Sequence, residues 1–233
     1  MDGPTNIWSS VVENHDERFP GTQIMNFLVV FDVDSTLIEQ EAIELLAQHS
    51  GTREKVALIT ERAMRGDIDF STSLIERVSL LAGLDQSVLD EVAIELTPTK
   101  GAAELISAIH LAGGFAAAVS GGFIQLLDPI KELLNLDFAK ANTLEVIDGK
   151  LTGKVTGELV DSRVKAQTLR ALAEELGVDL AQTIAIGDGA NDLKMMEAAG
   201  LSIAFCAQPT VRESADIVVS ERDLSLVIAL LPN

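Results

Sequence analysis

The sequence predicts an α/β fold in which a doubly wound, mostly parallel sheet carries an inserted helical segment and a small β-hairpin. Three observations predict it. Short apolar runs alternate with stretches of helical periodicity, the pattern of repeated strand–helix–strand crossovers. The first run, Phe27 to Phe31, is continuously apolar and ends at two aspartates, as expected of a buried parallel strand delivering a loop. About sixty residues of helical periodicity with no good strand then intervene before Thr97-Pro98-Thr99.

The elements follow in order. Residues 1–26 show no periodicity and read as a mobile extension, with Met25 as an alternative start directly before the first strand. Residues 37–96 carry apolar positions at helical spacing, first Ala42, Ile43, Leu45 and Leu46, later Leu74, Ile75, Val78 and Leu81, and are expected to form a helical cap. The α/β core is assigned to 27–36 and 97–233. Within it, strands are predicted at 115–119, 183–186, 201–205 and 216–219, and helices near 101–112, 123–135, 163–176 and 191–199. The alternation over Leu144 to Val155, centred on Asp148-Gly149, predicts a hairpin with a type I′ turn as an excursion from the sheet. No internal repeat is present.

Composition narrows the function. The 233 residues are 47% apolar, enough for one domain with its own core. A single cysteine, Cys206, excludes an internal disulfide, and His15, His49 and His110 have no zinc-binding spacing, so a metal would have to sit among oxygen ligands. With 36 acidic against 17 basic residues the net charge is −19, which argues against nucleic acid or an anionic membrane as partner. The same charge repels an anionic substrate, so any phosphate site needs local cations or helix N-termini. The apolar stretch from Leu105 to Leu127 is broken by His110 and two Gly-Gly pairs and does not read as a membrane span. The first 26 residues lack the order of a signal peptide, and a cytoplasmic location is expected.

Four segments carry chemistry. Asp32-Val33-Asp34-Ser35-Thr36 sets two carboxylates two positions apart just after the first strand. One can attack phosphorus, splitting ester hydrolysis into two displacements, while the other protonates the leaving alkoxide and then activates water. Gly187-Asp188-Gly189-Ala190-Asn191-Asp192 follows another apolar strand and brings Asp188 to the same sheet edge, where it could complete a Mg²⁺ site with Asp32. Neither segment fits a calcium loop, because Leu37 or Leu193 stands where glycine is required, and Asp192 replaces the third glycine of a dinucleotide loop. Ser120-Gly121-Gly122, read as a loop after a strand, offers a hydroxyl and open backbone N–H groups to a phosphate. Lys165, in a helical pattern with Val164, Leu169, Leu172 and Leu176, could add a compact positive charge. Cys206, in an apolar run with no histidine nearby, is assigned no catalytic role.

In this order, DxDST, SGG, Lys and GDGxND, the segments resemble the haloacid dehalogenase superfamily, whose phosphatases carry them on a Rossmann-like core. More closely, DVDSTL, AMRGDIDF, ERVSLL, TPTKGA, VSGGF, DGKLTG, GDGAND and AFCAQP resemble its phosphoserine phosphatase family, from about Phe27 to the C-terminus. The resemblance implies a Mg²⁺-dependent hydrolase of O-phospho-L-serine, the last step of serine biosynthesis. It implies Asp32 as nucleophile, Asp34 as general acid and then base, and Mg²⁺ held by Asp32, Asp188 and the main-chain oxygen of Asp34. Ser120, Gly121, Lys165 and Asn191 are then expected on the phosphoryl group, with Asp192 in support. Glu41 is expected to read the substrate ammonium and Arg77 its carboxylate, with Met64 and Phe70 lining the pocket.

Two other readings fit parts of the sequence. One is a phosphatase or phosphotransferase for another small phosphomonoester such as phosphohomoserine. The other is a phospho-acceptor signalling domain using Asp32 as a switch, against which stand the cap and Asp34, since a slow switch needs no acid for an alcohol leaving group.

Overall fold

The computed structural model describes residues 26–64 and 67–232. The expected extension, apart from Asn26, lies outside the described residues, as does the side chain of Met64. Seven strands form one sheet: β1 (Leu28–Phe31), β2 (Phe115–Phe123), β3 (Phe138–Ile147), β4 (Lys150–Thr156), β5 (Thr183–Gly187), β6 (Leu201–Phe205) and β7 (Ile217–Val219). Their order is β4-β3-β2-β1-β5-β6-β7. Every pair is parallel except β3–β4. The chain therefore leaves β1 toward β2 on one side and returns to β5 on the other, the reversal at which open α/β sheets bind ligands.

The alternation of β1 side chains divides the core. Val29 and Phe31 join a cluster with Leu105, Ile106, Leu126 and Ile130, from α5 (Ala102–Leu111) and α6 (Ile124–Leu134). Leu28 and Val30 join a second cluster on the other face, with Val164, Leu169 and Leu172 of α7 (Ser162–Glu175) and Met195 and Met196 of α8 (Leu193–Ala198). Burial on both faces explains why β1 has no polar alternation.

Residues 37–96 are helical as expected, with α1 (Ala42–His49), α2 (Arg53–Met64), α3 (Phe70–Ser79) and α4 (Ser87–Glu95). Their inward residues Leu46, Val56, Leu74 and Val92 continue the first cluster. Asp69 starts α3 by accepting from the Thr72 N–H at 2.9 Å. Among the described residues, no helix is long and apolar enough to cross a membrane.

Three expectations need correction. Ser120-Gly121-Gly122 is not a loop but lies within β2, which runs on to Phe123. Between the pairs Val119–Lys140 and Phe123–Asn142, β2 carries two residues more than β3, so a bulge turns this stretch toward the sheet edge. The predicted hairpin has its tight turn, with Asp148 and Gly149 at φ 50° and 74°. Its first strand, however, begins earlier than expected: Phe138 to Asn142 pair with β2 at the margin of the main sheet, and only from Thr143 does the strand pair with β4, so the hairpin leaves the sheet as the expected excursion. The third concerns the region after β6, where the short helix α9 (Pro209–Ser214) and a final turn of helix, Leu224–Leu230, were not foreseen.

The hairpin also holds the helical segment from below. Gly83 N–H donates to Leu151 O at 2.8 Å, Leu151 N–H to Leu84 O at 2.9 Å, and Gln86 N–H to Gly149 O at 2.8 Å. Gly153, at φ 80°, lies so close that an added Cβ would fall 2.9 Å from Ala82 Cβ and 3.1 Å from Ser79 O. Gly153→Ala combines a disfavoured φ with a backbone clash and is expected to cost more than about 1 kcal/mol. Urea unfolding with an unchanged slope checks this, and a midpoint equal to the parent's would show that the hairpin–helix contact carries little stability.

Candidate active site

The register of the sheet assembles the site. Phe31 is level with Ala118 on one side and Ile186 on the other, so Asp32, Ser120 and Asp188 emerge together at the carboxyl edge. Asp32 continues the ladder by donating its N–H to Ile186 O at 2.8 Å, which fixes the first residue of the turn. The backbone then departs from regular structure, with Asp34 extended (φ −62°, ψ 133°) and Ser35 left-handed at φ 58°.

At the centre lies Lys165, delivered by the first turn of α7 and fully buried. Its Nζ contacts Asp32 Oδ1 and donates to Asp192 Oδ1 at 2.6 Å. Asp192 is also fully buried, and its second oxygen accepts from the N–H groups of Gly189 and Asp188 at 3.1 and 3.2 Å. Thr36 Oγ1 donates to Asp188 Oδ1 at 3.4 Å. Carboxylate oxygens of Asp32, Asp188 and Asp192 lie within 4.8 Å of one another.

Three carboxylates around one ammonium leave an excess of negative charge. Burial, and then Asp192, push Asp32 well above the ordinary carboxylate range despite the neighbouring Lys165. The same two causes push Asp188 up to about 6. Burial pulls the Lys165 ammonium down, but Asp192 and Asp32 outweigh it and hold it above its ordinary value. A pocket of crowded, all-oxygen donors with unbalanced negative charge suits a hard divalent cation.

Asp34 faces a different environment. Its Oδ1 accepts from the Ala42 N–H at the start of α1 at 2.8 Å, and its Oδ2 from Ser120 Oγ at 3.4 Å. Burial raises its pKa, while the Ala42 N–H, Lys165, Ser120 and Arg77 work in the opposite direction. Ser120 Oγ in turn accepts from Gly122 N–H at 2.7 Å. A Cβ on Gly122 would meet Asp34 Oδ2 at 2.7 Å, and one on Gly121 would meet the Phe70 ring at 2.6 Å, so this stretch needs glycine for close approach.

Of the remaining expected residues, Glu41, Phe70 and Arg77 belong to the segment 37–96. Glu41 precedes α1 and accepts from Ser35 Oγ at 2.7 Å. The residue keeps an exposed surface, but its carboxyl has lost water and sits near Asp34, which push it up to about 7. Arg77, half-buried, donates from Nε to Ser73 O at 3.3 Å and is close enough to Asp34 to lower its pKa. Phe70 reaches Gly121 from α3. Asn191, half-buried, lies in the short turn Ala190–Asp192 beside Gly189. Met64 ends α2, and its side chain is outside the described residues.

One residue of the site was missed from sequence. Asn142, buried in β3, donates to Gly121 O at 2.8 Å and accepts from Val160 N–H at 2.9 Å, tying the β2 bulge to the segment that leads into α7. No local sequence signal marks it, because both partners are backbone groups distant in the chain.

Known proteins resemble the chain in sequence and fold. The haloacid dehalogenase-like hydrolase family matches residues 29–197. A phosphoserine phosphatase of Streptomyces coelicolor is 55% identical over 204 residues, 88% of this chain but 50% of that protein. One of Streptococcus thermophilus is 50% identical over 88% of this chain and 95% of its own length. Among solved structures, a phospho-aspartyl intermediate analogue of phosphoserine phosphatase superposes with a TM-score of 0.85 at 44% identity, covering 89% of this chain and 99% of that one. A substrate-bound phosphoserine phosphatase complex gives 0.85 at 43%, again over 89% and 99%. With this family match, and with 50% identity to a relative covered over 95% of its length, the chain belongs to the haloacid dehalogenase-like hydrolases and, within them, to the phosphoserine phosphatase family.

Proposed function

We propose that the chain hydrolyses O-phospho-L-serine to L-serine and phosphate through an aspartyl phosphate on Asp32, with residues 37–96 as a cap over the site. The observation that carries this reading is the buried Lys165 between Asp32 and Asp192, with Asp34 beside Ser120 on the other side of the same turn. Asp32 attacks phosphorus and the bond to the serine oxygen breaks, that oxygen taking a proton from Asp34. In the second displacement water attacks phosphorus, its proton passes to Asp34, and the Asp32 carboxylate is released. The raised pKa of Asp34 favours the protonated form needed first. Lys165, Ser120, Asn191 and the Gly121 N–H are the groups assigned to the phosphoryl oxygens.

Mg²⁺ is the proposed cofactor, held by Asp32, Asp188 and the Asp34 main-chain oxygen, with Asp192 in support. When bound, it supplies positive charge that offsets the carboxylates and the transferring phosphoryl group. Glu41 and Arg77 are proposed to read the ammonium and carboxylate of the substrate.

Phosphate release from O-phospho-L-serine, phosphothreonine, phosphohomoserine and a sugar phosphate tests the reading. Mg²⁺-dependent turnover is expected to favour phosphoserine and to vanish in Asp32→Asn; equal rates on the sugar phosphate would remove the serine assignment. Glu41 must be ionised to hold an ammonium, so the KM for phosphoserine is expected to climb severalfold as pH falls from about 7.5 to about 6, through the Glu41 pKa of about 7. Glu41→Gln should start with a high KM and lose this part of the pH dependence. For Asp188 the folded pKa lies above its ordinary value, so its ionisation destabilises the metal-free fold as pH rises through about 6. Asp188→Asn is therefore expected to raise the metal-free Tm at pH 7.5 by roughly 2–6 °C and to abolish the Tm gain on adding Mg²⁺. A parent-like gain in that variant would exclude Asp188 as a ligand.

A further inference from the structure

The left-handed residue of the catalytic turn, Ser35, is held from three directions. Its N–H donates to Gln40 O at 3.3 Å, its hydroxyl donates to Glu41 Oε1 at 2.7 Å, and its carbonyl accepts from Arg222 Nη1 at 3.1 Å. Arg222 comes from the far end of the chain, between β7 and the final helical turn, and is also paired with Glu39 at 3.5 Å. The same short segment grips the chain where it re-enters the core from 37–96. Asp223 pairs with Lys100 at 2.7 Å, Leu224 N–H donates to Lys100 O at 2.8 Å, and Gly101 is packed against Ser225 N and Asp223 Oδ1. Residues 222–225 thus fasten both crossings between the core and the helical segment.

Asp34 does not depend on this fastening, since it has its own donors in Ala42 N–H and Ser120 Oγ. Ser35 does depend on it: φ 58° is disfavoured for a side chain other than glycine and needs outside contacts to persist. If the Ser35 peptide turns, its hydroxyl no longer points to Glu41. We infer that Arg222 is a positioning residue for substrate recognition, acting through Ser35 to hold the Glu41 carboxylate where it meets the substrate ammonium. The inference rests on the ammonium role proposed for Glu41, and it adds to that site a control from the C-terminal segment.

The test measures KM and kcat for O-phospho-L-serine in Arg222→Ala, Ser35→Ala and the double variant, together with Ki for inorganic phosphate, which has no ammonium. Each single change is expected to raise KM about three- to tenfold, the range for one lost hydrogen bond, with kcat within about twofold and Ki unchanged. Because the two residues act in series, the double variant should be no worse than the poorer single. Arg222→Lys, which keeps charge and donor, should restore most of the affinity. Should Arg222→Ala not fold, Arg222→Gln carries the same comparison. A parent-like KM in the Arg222 variant alongside a raised KM in Glu41→Gln overturns the inference, as do effects of Arg222→Ala and Ser35→Ala that multiply, or a Ki that worsens in step with KM. An unchanged KM in Glu41→Gln instead removes the ammonium role on which the inference stands.

Discussion

The structure depends on one buried cation. Lys165 has no exposed surface, and an ammonium in that position is tolerable only when fully paired. Its partners come from separate parts of the chain: Asp32 from the end of β1 and Asp192 from the turn after β5. The lysine itself is set by the start of α7, where Asp161 caps the helix by accepting from Val164 N–H at 2.8 Å. On either side of it, Val164, Leu169 and Leu172 lock the helix to the sheet. The central strands and the crossover helix therefore meet at a single electrostatic contact, and the parallel register decides whether it can form.

The same contact reconciles a chain of net charge −19 with the proposed phosphate site. Most basic side chains of the described residues are exposed, but Lys165 is buried at the sheet edge, where low dielectric makes its charge count most. Its partners are crowded enough that Asp32 and Asp188 sit above their ordinary pKa values. That crowding costs stability in the protein alone and becomes favourable when further positive charge is supplied. Arg77, Glu41 and Phe70 belong to the helical segment, so the residues proposed to read the substrate and those proposed to react sit on different parts of the fold, joined near the Asp34–Ser120 contact.

Much of this was legible in the sequence, because the signals were local. Phe27 to Phe31 reads as a two-sided buried strand, and the turns after it and after β5 carry their carboxylates on the page. The helical nature of 37–96 follows from periodicity alone. What was misjudged depends on pairing between distant segments. The Ser120–Gly122 stretch looks like a loop because nothing local announces a bulge that β3 creates from the other side. Strand β3 shows alternation only in its second half, and its first half is half-buried and mixed, so its place in the main sheet was hidden. Lys165 has the helical environment of many surface lysines, and only its three-dimensional partners reveal its burial. Asn142 and Arg222 act through backbone carbonyls far away in sequence, for which no residue pattern exists.

The most direct test is the unfolding free energy of Lys165→Met as a function of pH, measured against the parent without metal. Removal of the cation leaves Asp32 and Asp192 buried without their counter-charge, so a deficit of about 3–5 kcal/mol is expected at neutral pH. It should shrink as pH falls, because Asp32, which burial already holds above the ordinary carboxylate range, takes up a proton in the folded state, and turnover should be absent at every pH. A deficit that does not change with pH would mean that Lys165 contributes only packing, and would contradict the account of the site as built around its charge.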